Sequence, residues 1–370
     1  MGKTLANNQA KSNKAHQLRR FGFSLLVSVI VAFILAWIYG FDPIAMFANL
    51  FKGAFVGKLN FGTTLEKFTT ILLLATAFNI CIKVGFFNLG LEGSMYLGAL
   101  AYAVVGYQFP NLPGYLYVPL CVLAAMFFGA IWGFLPAFLK TKWKVNEVCV
   151  ALLLNYVVTL FTTYAVYYIW AAKTSVPQTP ELCDQVEFLR ILAPSRAHIG
   201  LFISIAVYSV AFYFVYRTRI GYQQWTVGQN EHFAEYIGIN TRKTVVLTVM
   251  LSGALAGLAG GMEIAGLYGR FVDEFGAGAT FNGLLASRLV SNAMPLIPAS
   301  AFVLAALQAG AYGVERACGI PRNFIDCFTT IIIMLITMEG FYDTVVGGCG
   351  KLIRRMTRKD KKTEKEVRAS

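Results

Sequence analysis

The chain has 370 residues, of which 57% are hydrophobic, a further 34 are glycine and only 14% are charged. A water-soluble globule of this length lacks the interior to hide so much apolar surface, which excludes an ordinary soluble enzyme and leaves a polytopic membrane protein. The formal net charge of +13 would suit nucleic acid if it formed one patch, but the basic residues border apolar runs, as the positive-inside rule describes, so no nucleic-acid partner is expected.

In chain order, residues 1–20 carry Lys3, Lys11, Lys14, Arg19 and Arg20 and are expected to stay in the cytoplasm. Run 21–39 is too long for a signal-peptide core and lacks a small-x-small exit, so it reads as an uncleaved first span. Runs 65–82, 87–107, 116–139, 148–170, 199–216, 245–267, 296–312 and 324–346 follow, each meeting or approaching the ~20 apolar residues that a spanning helix needs. The tail 347–370 is dense in Lys and Arg from Lys351 to Arg368, which places the second end in the cytoplasm too. Two ends on one side require an even number of crossings.

The further crossing is 276–292, a short Gly-rich segment carrying Arg288. Such broken segments persist at membrane depth only inside protein or beside a water-filled cavity. The expected fold is therefore all-α, a polytopic membrane helix bundle of about ten transmembrane segments including one broken Gly-rich segment. Residues 21–346 form the transmembrane domain, between basic cytoplasmic ends 1–20 and 347–370. The basic loops at Lys140, Lys142 and Lys144 and at 217–244 then fall inside, and 173–198, with Glu181, Asp184 and Glu187, outside.

Polar groups inside the apolar runs are the candidate functional residues. A charge at the bilayer centre costs roughly 2.5–3.5 kcal/mol, so each must face protein or water. Asn88, Glu92 and Tyr96 are spaced i, i+4, i+8 and share one helix face, among Gly85, Gly90, Gly93 and Gly98. That face is either a packing surface or a polar stripe beside a translocation path. In the fifth run Glu147 suits a first helical turn, whereas Asn155 and Tyr156 lie deeper; Asn155 either lines a polar cavity or joins two helices. Glu263, in the Gly-rich seventh run, is expected near the outer mouth, and Asp326 and Glu339 add two acids to the last.

Seven cysteines without a C-x-x-C pair and three histidines give no zinc, redox or disulfide pattern, so no metal or cofactor is expected. Without H-E-x-x-H or G-x-S-x-G, no intramembrane enzyme is expected. In the loop from Gly228, Asn230 is a helix N-cap, Glu231 a first-turn acid and Gly238 a stop. The short helix between them places Phe233, Ala234 and Ile237 on one side. It lacks the Lys/Arg-rich face of a lipid-resting helix and reads as a docking helix for a cytoplasmic partner.

The segment Asn88-Leu-Gly-Leu-Glu-Gly-Ser-Met-Tyr-Leu-Gly98-Ala resembles the N-[IL]-G-x-E-G-x-x-x-x-G-A element of bacterial ABC importer permeases for nucleosides and simple sugars. Asn146-Glu-Val, followed by Leu-Leu-Asn155-Tyr156, resembles the N-E-V…L-N-Y element of the nucleoside branch. Gly228-x-Asn230, with Ala234-x-Tyr236-x-Gly238-Ile and then Leu251-Ser-Gly-Ala-Leu-Ala-Gly-Leu-Ala-Gly260, is similar to the family's ATPase-coupling loop and the helix after it. The resemblance spans roughly 60–345.

What it implies is a permease subunit of an ATP-binding-cassette importer in the bacterial inner or plasma membrane, with both termini cytoplasmic. Its partners would be a cytoplasmic ATPase, a second permease subunit (a heterodimer) and an extracellular substrate-binding lipoprotein. The substrate pathway would involve Asn88, Glu92, Tyr96, Asn155, Tyr156 and Glu263, and the ATPase coupling Gly228, Asn230, Ala234, Tyr236 and Gly238. No Walker A exists: Gly350-Lys351 is followed by Leu352, and Val345 stands where the motif's first glycine belongs. ATP hydrolysis is therefore expected on another chain.

The chain departs from the family pattern at Ala286-Ser-Arg-Leu289, in place of A-L-L-G, and at Asn292–Pro298, in place of N-P-x-G. Glu231 and Glu235 stand where Pro and Arg are common. A permease for a simple sugar or other small solute is the alternative within the family. Outside it, the span count also permits an ion-coupled secondary transporter.

Overall fold

The computed structural model describes residues 42–172, 177–273, 275–276 and 278–319, with single positions between 30 and 40 and between 327 and 334. It divides into two units, residues 48–317 and residues 1–47 with 318–370; the fold below is that of the first. The expected spans 21–39 and 324–346, the basic ends, and Asp326 and Glu339 lie largely or wholly outside the described residues.

The elements are α1 (Pro43–Phe55), α2 (Lys58–Lys83), α3 (Leu91–Gln108), α4 (Gly114–Trp143), α5 (Glu147–Tyr164), α6 (Gly200–Arg217), α7 (Arg219–Gln229), α8 (Glu231–Tyr236), α9 (Thr241–Glu263), α10 (Ala279–Leu289) and α11 (Ile297–Cys318). The last turns of α5 and α9 widen into π-helix, Ala165–Ile169 and Ile264–Tyr268. Among the described residues six helices are long and apolar enough to cross a bilayer: α2, α4, α5, α6, α9 and α11, the latter counted from Met294. Of the four other expected crossings, two lie outside the description, α3 is diluted by Glu92 and glycines, and 276–292 is broken, with only an 11-residue helix.

Burial separates the helices into layers. The apolar windows of α2 and α9 are 83% and 78% buried, those of α4, α5 and α6 only 22%, 22% and 17%. A helix that is apolar on every side needs either protein or lipid around it. The first pair is the core, and the others present Leu, Phe and Tyr side chains outward, as a hydrocarbon solvent requires.

Small residues bring the core helices together. Gly98 on α3, Gly129 on α4 and Gly253 and Gly257 on α9 meet backbone to backbone, and a Cβ on Gly257 would collide with the Ala125 carbonyl oxygen. In lipid, where apolar contact alone does not drive association, such close approach is what holds helices together. Side-chain caps fix where helices begin: Asn146 accepts from the Val148 and Cys149 amides, Asn230 from Phe233 and Asn240 from Lys243. Gly238, at φ 84°, ends the α8 corner in a conformation that favours glycine.

At the end of the bundle opposite α8, residues 177–199 lie against the segment leaving α9. The Thr179 amide donates to the Phe271 carbonyl (3.0 Å), the Leu182 amide to Gly269 (2.8 Å), and Arg270 pairs with Glu181. His198 is buried there, with Nδ1 accepting from the Gly200 amide at 3.1 Å. Burial pushes its pKa down from 6.5 to about 4, against a weaker upward pull from Glu263. The unfolded chain therefore takes a proton that the folded one refuses, and stability falls as pH drops from 6.5 towards 4, by up to about 3 kcal/mol. His198→Asn, which keeps an acceptor without titrating, should flatten the loss of melting temperature between pH 7.5 and 5; an unchanged pH slope would contradict this.

Candidate functional site

Two helices begin in the interior of the bundle, and their starts face each other. α10 rises about 16 Å, half of a ~30 Å hydrocarbon core. It runs parallel to the second half of α2. Its Gly283 lies on Leu74, Asn79 Nδ2 donates to Ser287 Oγ (3.2 Å) and the Asn292 carbonyl (2.9 Å), and Lys83 Nζ donates to that carbonyl at 3.3 Å. Because α2 spans Lys58–Lys83, the start of α10 is level with the middle of α2. There the Glu92 carboxylate, in the first turn of α3, lies beside the backbone N–H of Gly278, the residue that opens α10.

The chemistry follows from helix ends. Each N-terminus carries orphan amides and about half a positive charge, and neither start has a side-chain cap of its own. Glu92 supplies a negative charge between them. Beside it the Tyr96 ring stands edge-on to Phe275 (5.2 Å between centroids), which also meets Tyr268 (5.7 Å) and Phe271 (5.4 Å). The Tyr268 hydroxyl donates to the Phe275 carbonyl at 2.9 Å. Phe281, two residues into α10, is 51% exposed, and further along it Arg288 lies over the Phe87 ring at 5.5 Å. One half-buried carboxylate, walled by aromatic rings, can accept hydrogen bonds from a neutral polar solute.

The other residues singled out from the third and fifth runs act mainly on backbone. Asn88 Oδ1 accepts from the Gly90 amide (2.9 Å), shaping the turn into α3, while its Nδ2 lies 3.7 Å from Cys81 Sγ. Asn155 Oδ1 accepts from the Gly93 amide (3.0 Å) and Nδ2 donates to the Leu89 carbonyl (2.9 Å), so α5 caps the start of α3 from outside. Tyr156 does not join that contact and is 71% exposed. Asn155→Leu would orphan a donor and an acceptor, costing roughly 2 kcal/mol or more. A lowered melting temperature and impaired uptake are expected, with Asn155→Asp, which keeps the acceptor, intermediate; unchanged melting of the Leu variant would contradict the clamp.

Glu263 lies apart from Glu92, in an ionic cluster that the sequence did not reveal. Thr70 Oγ1 donates to Glu263 Oε1 at 2.8 Å, and Lys67 Nζ stands 4.0 Å from that oxygen and 3.4 Å from Glu66 Oε1. All are largely buried: the side chains of Lys67, Glu66 and Glu263 are 17%, 7% and 6% exposed. Glu66 and Lys67 stand at the start of the apolar run 65–82 and were not singled out in the sequence; because α2 continues back to Lys58, they lie inside the helix as interior charges.

At the other end, α7 and α8 make a corner beneath α2 and α9. Ala234 is buried in a cluster with Val84, Phe86, Val227, Val245 and Val249, and Gln224 Nε2 donates to Thr248 Oγ1 on α9 at 3.1 Å. Gly228 packs its backbone on the Lys83 carbonyl. The opposite face of α8 is open: Phe233 is 54% and Tyr236 90% exposed. Asn230, Ala234 and Gly238 thus build and seat the helix, while Tyr236 is presented outward. The helix α7 before it was not expected, because its eleven residues include only a few apolar ones.

Comparison with known proteins identifies the class of this architecture. Residues 60–337 match the family profile described as branched-chain amino acid transport system / permease component. The chain is similar to the nucleoside ABC transporter permease protein NupB of Lactococcus lactis subsp. cremoris, 29% identical over 93% of this chain and 95% of that protein. It is similar to the guanosine ABC transporter permease protein NupP of Bacillus subtilis, 27% identical over 88% and 94%. The glucose ABC transporter permease protein TsgB13 of Haloferax volcanii is 30% identical over 83% of each chain. With three quarters of its length inside one profile and apolar helices built to cross a bilayer, this multi-pass membrane chain belongs to the branched-chain amino acid transport system permease family.

Proposed function

We propose that the chain is a transmembrane permease subunit of an ATP-binding-cassette importer for nucleosides, and that the solute passes the place where α3 and α10 begin. The observation that carries this is the pairing of Glu92 with the start of α10, level with the middle of α2, beside Tyr96 and Phe275. Discontinuous helices whose ends meet at the midplane are the recurrent way for a transporter to offer polar groups to its cargo. A nucleoside is uncharged, its sugar hydroxyls donate to a carboxylate, and its base can stack on or stand edge-on to aromatic rings. The names of two relatives, nucleoside and guanosine permeases, favour that cargo. A glucose permease among the relatives favours a simple sugar as the second reading.

The topology that suits this function has about ten crossings, the six long helices being joined by 21–39, α3, the broken segment through α10, and 324–346. Both basic ends and the α8 corner face the cytoplasm, so residues 21–346 form the permease domain with its coupling loop at 217–244. Phe233 and Tyr236 meet a separate ATPase there. A second permease subunit completes the path, and an extracellular lipoprotein delivers substrate to the opposite end, where Glu263 lies.

The test is uptake of labelled guanosine and glucose in cells carrying the complete transporter, with wild type compared to Glu92→Gln. Loss of one charged hydrogen-bond acceptor should reduce guanosine uptake about tenfold or more, corresponding to roughly 1.5–3 kcal/mol. Undiminished guanosine uptake would remove Glu92 from the path. Uptake of glucose alone would replace the nucleoside by the sugar.

A further inference from the structure

We infer, resting on the transport reading above, that Arg288 is a specificity-determining residue of the path and that its guanidinium selects 6-oxopurine nucleosides, such as guanosine and inosine, over adenosine. The face of α10 that begins at Phe281 continues through Leu284 and Leu285 to Arg288, at positions i, i+3, i+4 and i+7. Phe281 and Leu284 meet Phe78, Asn88, Leu89 and Leu91 across a cavity of about 10 Å³, room for one water and no more. This gap separates α10 from the start of α3, and it is shut to a nucleoside in this structure. Arg288 is the next residue on the same face, about three turns beyond Gly278 and so beyond Glu92. A solute that leaves Glu92 along α10 meets Phe281, then Leu284, then the guanidinium.

The guanidinium is positioned but its donors are open. Arg288 is half-buried, and its guanidinium carbon lies 5.5 Å from the centroid of the Phe87 ring. Phe87 is itself met edge-on by the buried Phe78 ring at 5.3 Å. The ring face attracts the cation but offers no lone pair, and among the described residues the guanidinium has no hydrogen bond or ion pair. Lys83, by contrast, donates to the Asn292 carbonyl at 3.3 Å. A charged side chain within a membrane bundle is costly, and where its donors stay open it marks a place that a polar solute passes.

The fork of the guanidinium decides which base is favoured. Its parallel N–H groups match two adjacent acceptors, and a 6-oxopurine presents O6 and N7 in that arrangement. Adenine presents N7 beside a donating amino group, so one guanidinium N–H would face a donor and stay unpaired. Glu92 draws no such distinction, because the ribose that donates to it is common to all nucleosides. Sugar and base are thus read by different residues, at the start and near the end of α10.

The experiment measures uptake of labelled guanosine, inosine and adenosine in cells carrying the complete transporter, each supplied at a concentration that gives measurable wild-type uptake. Dividing each variant by wild type cancels any preference of the delivering lipoprotein, which is the same in every arm. Arg288→Leu should lower guanosine and inosine uptake about tenfold and adenosine uptake by under about twofold. Arg288→Lys, which keeps the charge without the fork, should lose most of the same preference. Glu92→Gln should lower all three alike. Equal losses of all three nucleosides in Arg288→Leu, the signature of a guanidinium that only seats α10 or reaches towards lipid, would overturn the proposal, and so would no loss at all. Either of those results, in cells whose wild-type transporter takes up guanosine, sinks the role of Arg288 and leaves the transport reading standing. Wild-type cells that take up none of the three sink the transport reading, and the role of Arg288 with it.

Discussion

Lys67→Met is expected to destabilise the folded chain by roughly 3–5 kcal/mol, the usual effect of removing one partner from a buried ion pair. Methionine approximates the volume of lysine, so the packing around α2 is retained and the change isolates the charge. What remains is Glu66 and Glu263, both nearly sealed from solvent, with Thr70 Oγ1 as the one hydrogen-bond donor to Glu263 among the described side chains. Thermal melting in detergent should drop by several degrees and the yield of folded protein should fall. Lys67→Met combined with Glu263→Gln should recover part of the loss, because a neutral amide can still accept from Thr70. An unshifted melting temperature for the single variant would mean that the cluster is solvated and contributes nothing.

Gly257→Leu is expected to be worse. The position is closed on two sides by backbone, the Ala125 carbonyl on one and Gly129 on the other, and neither can rotate away as a side chain would. Overpacking a well-packed interior typically costs about 1–3 kcal/mol and more where backbone must shift. Here α4 and α9 would have to separate along the seam that also holds Gly253 and Gly98. Loss of folded protein by size-exclusion profile is the predicted result. Leu substituted at lipid-facing Val210, 69% exposed on α6, should leave the profile unchanged. A monodisperse Gly257→Leu variant with wild-type melting would show that the seam is looser than its geometry indicates.

Both effects arise from contacts between residues remote in sequence, and that is where sequence reading stopped. Helices were legible because apolar runs of known length leave few alternatives, and one end was legible where a side chain caps locally: Asn230 caps as its sequence context indicates. The broken character of 276–292 was legible from its glycines and its shortness. That its helix begins against Glu92 was not, since the two are separated by nearly two hundred residues and each start looks merely uncapped. Asn155 left two readings open, a cavity or a joint between helices. The joint accounts for both of its hydrogen bonds, and it serves the start of α3. Lys67 was overlooked because a charge at the margin of an apolar run is ordinarily at the water boundary; only the position of Glu263 on a neighbouring helix makes it an interior group.

The most direct measurement asks whether solute reaches the meeting point of α3 and α10. In a background lacking the seven native cysteines, Phe281→Cys and Tyr236→Cys would be labelled with a small thiol reagent in membranes containing the assembled transporter, with and without guanosine. Guanosine should slow labelling at position 281 and leave position 236, on the exposed face of α8, unaffected. Equal labelling rates at position 281 with and without guanosine, in membranes that demonstrably take it up, would place the path elsewhere and contradict the account.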